Sequence, residues 1–435
     1  MSDPRCKRAV LAALSYQPDF SGIACFPPLN SQDGQHTLRW MDQSGLSLIF
    51  LHQLQSLGRT GSISDDWSNA LHQRSARNIE RTRDLLEEFK RVNDALRTYG
   101  VIAAALKGFT LVPDFCKELS LRHQSDLDFL IYPDSIENAA IALQSLGYST
   151  THLNTAGESC FVTPLRHIPS SHDDLYALQH HRQVDLHTAI CEDSPWLRLE
   201  LPEDSLQQAQ TRDSNGVQAL SLSLEDKFIT QVFHAFRHSF RSWVRLSWLL
   251  EIGRCMELHR QHTAFWNRVI ERAKSSRWTR NVFALVLGLV TRLFQTPIPA
   301  PLQCWTMEAM SLRLRAWLNV FGVDWAISDW PGSLKNIFLI TDFIPDRKLR
   351  IEYCRSRMLP KRSHASLGAV AATDRNMFFR LQSARLNYVA GRSAAHLKQI
   401  IDLPLQHLRW KRALYASRGD ILRRTIELPV KHGGV

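Results

Sequence analysis

Two short runs in the middle of the chain decide what it can fold into. Residues 101–106 (VIAAAL) are continuously apolar, too short for a buried helix, and closed by Lys107 and Gly108, which is the pattern of a strand covered on both faces. Residues 126–131 (DLDFLI) repeat that length, with an apolar density that also fits a strand. Pro133, Asp134 and Ser135 then open a helical stretch that Gly147 should stop. The β-α rhythm here reads as a small mixed-sheet α/β core. Weaker strand candidates at 148–153, 160–165, 176–179 and 183–190 extend it, the last two separated by the polar turn His180, His181, Arg182.

Helical patterns flank this core. Residues 68–96 carry apolar or alanine positions at mixed three and four spacing in a highly charged stretch, so 1–98 reads as an N-terminal helical segment. Ser223, with Asp226 three residues on, has capping-box spacing, and Phe228, Ile229, Val232, Phe233 and Phe236 then share one helical face. Further helices are expected near 244–258, near 264–274 and after Asn281. The expected organisation is an α+β protein: helical segment 1–98, mixed-sheet α/β core 99–200, helical bundle 201–345 and basic helical segment 346–435.

The residues that carry chemistry lie in the core. Asp126 and Asp128, at i and i+2 of a strand, point to the same face, where two carboxylates repel unless a cation lies between them. Hard oxygen donors of this kind suit Mg²⁺, which keeps waters and recruits substrate phosphates. A third carboxylate on a neighbouring strand, which Asp185 can supply, would allow a second ion to activate an attacking hydroxyl. Gly108, at a strand-to-helix turn, lets backbone N–H groups approach a phosphate, with the following helix N-terminus favouring its charge. Lys107 and Arg122 add cationic donors. His187 shares a strand face with Asp185 and can orient it, touch a phosphate, or simply be a satisfied core histidine.

The order Lys107-Gly108, Arg122-x-x-x-Asp126-x-Asp128-hydrophobic, a helix ending in Gly147-Tyr148, and Val184-Asp185-x-His187 resembles the bacterial uncharacterised nucleotidyltransferase family of the polymerase-β-like nucleotidyltransferase superfamily. The resemblance runs from about residue 66 to about 295 and takes in Glu225, Asp226, His234 and His238. It implies a mixed-sheet nucleotidyltransferase core with helical flanks. It also implies transfer of NMP from an NTP, with two Mg²⁺ ions, to an acceptor that is a small molecule, a protein or an RNA. Lys107-Gly108-Phe109 departs from the Gly-Ser or Gly-Gly pair usual in the wider superfamily, which leaves the triphosphate geometry and the choice of nucleotide open. The competing expectation is a catalytically silent binding or scaffold module of the same fold; retention of all three carboxylates favours the enzyme.

Other histidines are weaker signals. His234 and His238 stand four apart on a helix, a spacing that can hold zinc, but without the glutamate of an HExxH motif they suit packing or a substrate pocket. His172, His180, His181 and His187 suggest metal only by number. The net charge of +11 is unevenly placed: residues 346–435 hold 19 Lys and Arg against 6 Asp and Glu, a net of +13, which leaves about −2 for the rest. Such a block can attract a polyanion such as RNA or a membrane surface, although irregular basic spacing fits solvated faces of amphipathic helices better. Eight scattered cysteines with no CxxC pair suggest neither a zinc ribbon nor a disulfide framework. No leader peptide and no membrane span are expected, so the chain is read as cytoplasmic, with no membrane contact and no obligate protein partner.

Overall fold

The computed structural model describes residues 3–152, 157–163, 175–176, 178, 182–189, 191–194, 197–241, 245–274, 277–328, 334–344, 346–359 and 375–426. The expected turn at His180 and His181, the position of His172, and most of the candidate strand at 176–179 lie outside them. The fold is α+β. The chain divides into two compact units, Met1–Ser239 with Val244–Glu308, and Phe240–Trp243 with Ala309–Val435.

The first unit begins with helices α1 (Pro4–Ala13), α2 (Gln32–Gln43), α3 (Ser47–Ser56) and α4 (Asp65–Thr98). It is built around a seven-stranded mixed sheet of order β3-β4-β5-β2-β1-β9-β8. The strands are β1 (Ala103–Ala105), β2 (Asp126–Ile131), β3 (Ser149–His152), β4 (Glu158–Val162), β5 (Gln183–His187), β8 (Gln210–Ser214) and β9 (Val217–Ser221); β6 (Cys191–Ser194) and β7 (Leu197–Glu200) form a separate hairpin. The sheet therefore continues past residue 200. β2 is the middle strand, antiparallel to β1 and parallel to β5, while β9 closes parallel onto β1.

Alternation along β2 and β5 separates two faces. Leu127, Phe129, Ile131, Val184 and Leu186 pack with Phe161 of β4 against Leu85, Phe89, Val92 and Leu96 of α4 and against Ile136, Ala139 and Leu143 of α5 (Ile136–Ser145). α4 stops where Gly100 adopts φ +71, and α5 where Gly147 adopts φ +87, conformations that glycine takes without Cβ strain. The residues between the core positions, Asp126, Asp128, Gln183, Asp185 and His187, share the other face.

The segment after Gly108 differs from expectation. Instead of a helix it makes one 3₁₀ turn, Gly108–Leu111. The physical reason lies two residues on: Pro113 has no N–H to give and disfavours a helical conformation at Val112.

Helices α6 (Leu224–Arg241), α7 (Leu246–Leu258), α8 (Thr263–Ala273) and α9 (Arg277–Phe294) complete the first unit. Ser223 Oγ accepts from the Asp226 N–H at 3.2 Å, which is the N-terminal cap expected for α6. Phe228, Ile229, Val232, Phe233 and Phe236 are all buried. The second unit contains helices Leu312–Ala326, Arg347–Met358 and Arg375–Ile426.

Candidate active site

Parallel pairing sets Asp128 directly beside Asp185, and Asp126 beside Gln183. Asp128 is the best-held of the three acids. Its Oδ1 accepts from Lys107 Nζ at 3.1 Å and from His187 Nε2 at 3.0 Å, and its side chain is only 8% exposed. Burial alone would raise its pKa, but the Lys107 charge and the His187 hydrogen bond overcome that and hold it well below the ordinary carboxylate range. Asp126 and Asp185 move the other way. Burial first, and the Asp128 charge second, raise both, and Asp185 is pushed up to about 6. Gln183 Nε2 donates to both Asp185 oxygens, at 2.9 and 3.1 Å.

The structure thus gathers Lys107, Asp126, Asp128, Asp185 and His187 on one face of the two central strands. Arg122 is engaged differently. Its Nε donates to Glu251 Oε1 of α7 at 2.8 Å, with the two side chains 12% and 3% exposed. Gly108 adopts φ +64, and a Cβ there would sit 2.2 Å from Gln124 Nε2, itself donating to the Asp126 carbonyl at 2.9 Å. Glycine at 108 therefore makes room for the amide that braces the start of β2.

Several site-supporting residues escaped the sequence reading. Asn78 of α4 donates to the carbonyls of Ser120 and Arg122, and Arg81 donates to those of Gln124 and Leu175, pinning the loop that enters β2. The signal was present: Asn78 and Arg81 continue the three-four spacing of Leu85, Phe89, Val92 and Leu96, polar residues on a core-facing stripe. Arg245, just before α7, donates from Nη1 to His123 Nδ1 at 3.1 Å. A guanidinium only donates, so Nδ1 accepts, and the His123 proton sits on Nε2, donated to the Leu175 carbonyl at 2.6 Å. His123 is accordingly neutral, its pKa pushed down to about 3 by burial and by the Arg245 charge. The Asp126 charge reaches Arg245, whose own pKa burial lowers.

Helix α6 supplies a polar wall. Lys227, Gln231, His234 and His238 follow each other at four, three and four residues and so form one stripe. Lys227 Nζ donates to the Thr110 carbonyl at 3.1 Å. The His234 ring lies 4.6 Å from that of His238 and 4.3 Å from that of Trp248. Burial, then the Lys107 charge, depresses the His234 pKa well below its ordinary value, so the ring is neutral beside the site. Gln231 is fully buried, yet neither atom of its amide has a partner among the described residues. Arg237 on the same helix lies 3.6 Å from Glu158 of β4.

Among the described residues no three His, Cys, Asp or Glu side chains stand together as a metal-holding group. The donor set nevertheless fits a hard cation. Three acids share one face, two of them raised by burial and by the Asp128 charge, so added positive charge is favourable there.

A mixed sheet with a central Asp-x-Asp strand, a parallel neighbour bearing a third acid and a lysine at the preceding turn is thus what the described residues show. The chain belongs to the uncharacterised nucleotidyltransferase family, whose model matches residues 30–295, more than half of its length. No curated protein and no solved structure matches it. The match begins upstream of the resemblance read from the motifs, taking in α2, α3 and α4 as well as the sheet and helices α6 to α9.

Proposed function

We propose that the protein transfers NMP from an NTP to an acceptor hydroxyl, with Mg²⁺ held by Asp126, Asp128 and Asp185. The observation that carries this reading is the register itself, which puts the Asp-x-Asp pair and Asp185 on adjacent strands of one face. When bound, the cation supplies charge neutralisation for the phosphates and polarises the reacting oxygens. The chain's own contributions are distinct. Lys107 is a cation hydrogen-bonded to Asp128, suited to meet a phosphate beside it; Gly108 keeps the turn open and Gln124 in place. Gln183 orients Asp185, and His187 orients Asp128. Arg245 offers a guanidinium to an anionic group near Asp126, the phosphate role assigned to Arg122 by the sequence. Arg122, through Glu251, anchors α7 against the loop that enters β2. In the transfer, the acceptor hydroxyl gives up its proton to solvent as its oxygen bonds to the α-phosphorus, and pyrophosphate departs with the bridging oxygen.

A second reading has its own observation. Lys107 and His187 already satisfy Asp128 Oδ1, so the same arrangement suits a silent binding module. The two readings part on ligand linkage: anything that binds the folded state preferentially raises its melting temperature. A thermal shift with one of the NTPs that appears only when Mg²⁺ is present supports the enzyme; no shift with any NTP, with or without Mg²⁺, contradicts it.

A further inference from the structure

The second unit carries a surface that the nucleotidyl-transfer site does not use. Along the helix Arg375–Ile426, Leu397, Ile401, Leu405, Leu408 and Tyr415 are 58%, 68%, 59%, 54% and 64% exposed. With 3.6 residues per turn carried straight through Pro404, which lies inside this helix, these five side chains fall within an arc of about 80°, over a length of roughly 27 Å. The helix is not short of a core-facing side. Trp410 is 9% exposed, donates from Nε1 to the Arg313 carbonyl at 3.4 Å and stacks on Phe338 at 5.5 Å. On the helical wheel Trp410 lies more than about 140° from the centre of the apolar arc. The exposed stripe is therefore a second apolar face on a helix already docked by its first.

Charge says what covers it. The helix contains eleven Lys and Arg and two Asp. Arg412 falls inside the apolar arc, Lys398 and Arg409 border it on one side and Lys411 on the other, about 20–40° beyond its edges. Like charges in this arrangement oppose a second copy of the same helix. RNA would neutralise the basic residues but leave four aliphatic side chains in water, without the aromatic platform that single strands stack on. A ridge of Leu and Ile with Arg412 in it, Lys398 and Arg409 along one edge and Lys411 at the other matches an anionic lipid surface, where the aliphatic groups enter the acyl boundary and the long basic side chains reach the headgroups. We propose that the exposed apolar stripe of residues 397–415, with its basic neighbours, seats this protein reversibly on anionic bilayers. No described helix is long and apolar enough to cross a membrane, so the contact is interfacial. It takes up the membrane-surface attraction that the basic block allows, and departs from the expectation of no membrane contact.

The test is flotation of the full chain with vesicles of phosphatidylcholine alone and of phosphatidylcholine with phosphatidylserine, at low and at raised salt. Binding is expected to the anionic vesicles only, weakening with salt. The double variant Ile401→Glu/Leu408→Glu changes only exposed positions and should abolish it with the circular dichroism spectrum unchanged. The triple variant Lys398→Gln/Arg409→Gln/Lys411→Gln keeps the apolar stripe and should weaken it roughly a hundredfold, about fivefold per basic residue near the surface. Failure of the wild type to float with anionic vesicles overturns the proposal, as does flotation that survives the double variant. RNA binding or self-association in place of vesicle binding overturns it equally and reassigns the stripe.

Discussion

The two faces of the central strands are built to opposite rules. Toward α4 and α5, β2 and β5 present Leu127, Phe129, Ile131, Val184 and Leu186, each 2% exposed or less. Toward the other side the same two strands present Asp126, Asp128, Gln183, Asp185 and His187, with charges that partly oppose one another. One face lowers the free energy of the fold; the other spends some of it on holding acids together. The lesson is that a period of two lets adjacent residues serve stability and chemistry independently. Substitutions on the two faces should therefore separate in their effects.

The largest effect expected is on turnover. Asp126→Asn and Asp128→Asn should each lower transfer by a thousandfold or more, since a cation ligand contributes several kcal/mol to a phosphoryl transition state. Their stabilities should diverge. Asp126, with its pKa raised, is relieved by amidation, whereas Asp128→Asn takes from Lys107 its hydrogen-bonded carboxylate and should melt lower. Equal melting temperatures would break the distinction between the two acids.

On the opposite face, Phe129→Ala should cost about 3–5 kcal/mol in denaturant unfolding. Arg122→Ala should cost a similar amount, about 3–5 kcal/mol, because it strands Glu251, whose Oε2 already has no partner among the described residues. A change in nucleotide KM with no loss of stability would return Arg122 to the phosphate site. Asp185 gives a smaller, pH-dependent effect. Its folded pKa of about 6 exceeds the ordinary value of 3.8, so the native state binds the extra proton and stability falls as pH rises from about 4 to about 6. Asp185→Asn should flatten that fall and add about 1–3 kcal/mol at neutral pH, read from unfolding midpoints across the range. Since the same proton competes with a cation, Mg²⁺ affinity measured by calorimetry should weaken below about pH 6. The smallest effect is Arg237→Ala. Its 3.6 Å pair with Glu158 is 30% and 43% exposed, and loss of such a pair costs about 0.5 kcal/mol.

What was legible in the sequence was local. The strand at 126–131, the helix stop at Gly147 and the cap at Ser223 follow from short-range patterns, and the structure has all three. The gathering of Asp185 beside Asp128 was suggested only by motif order, because parallel register between segments some sixty residues apart leaves no local trace. Polar residues such as Asn78, Arg81 and Arg245 act on loops distant in sequence, so nothing near them announces their partners. Strands β8 and β9 were missed because Gln210–Ser214 is polar throughout and β9 alternates over only five residues.

The central claim is that the carboxylate face performs nucleotidyl transfer, and labelled turnover tests it most directly. The wild-type chain and Asp128→Asn would each be incubated with every α-labelled NTP, Mg²⁺ and a cell extract, and label followed into RNA, protein and small metabolites. The account predicts label entering one of these classes with the wild type and none with Asp128→Asn. Equal incorporation by the two proteins, or none by the wild type with any NTP, would contradict it.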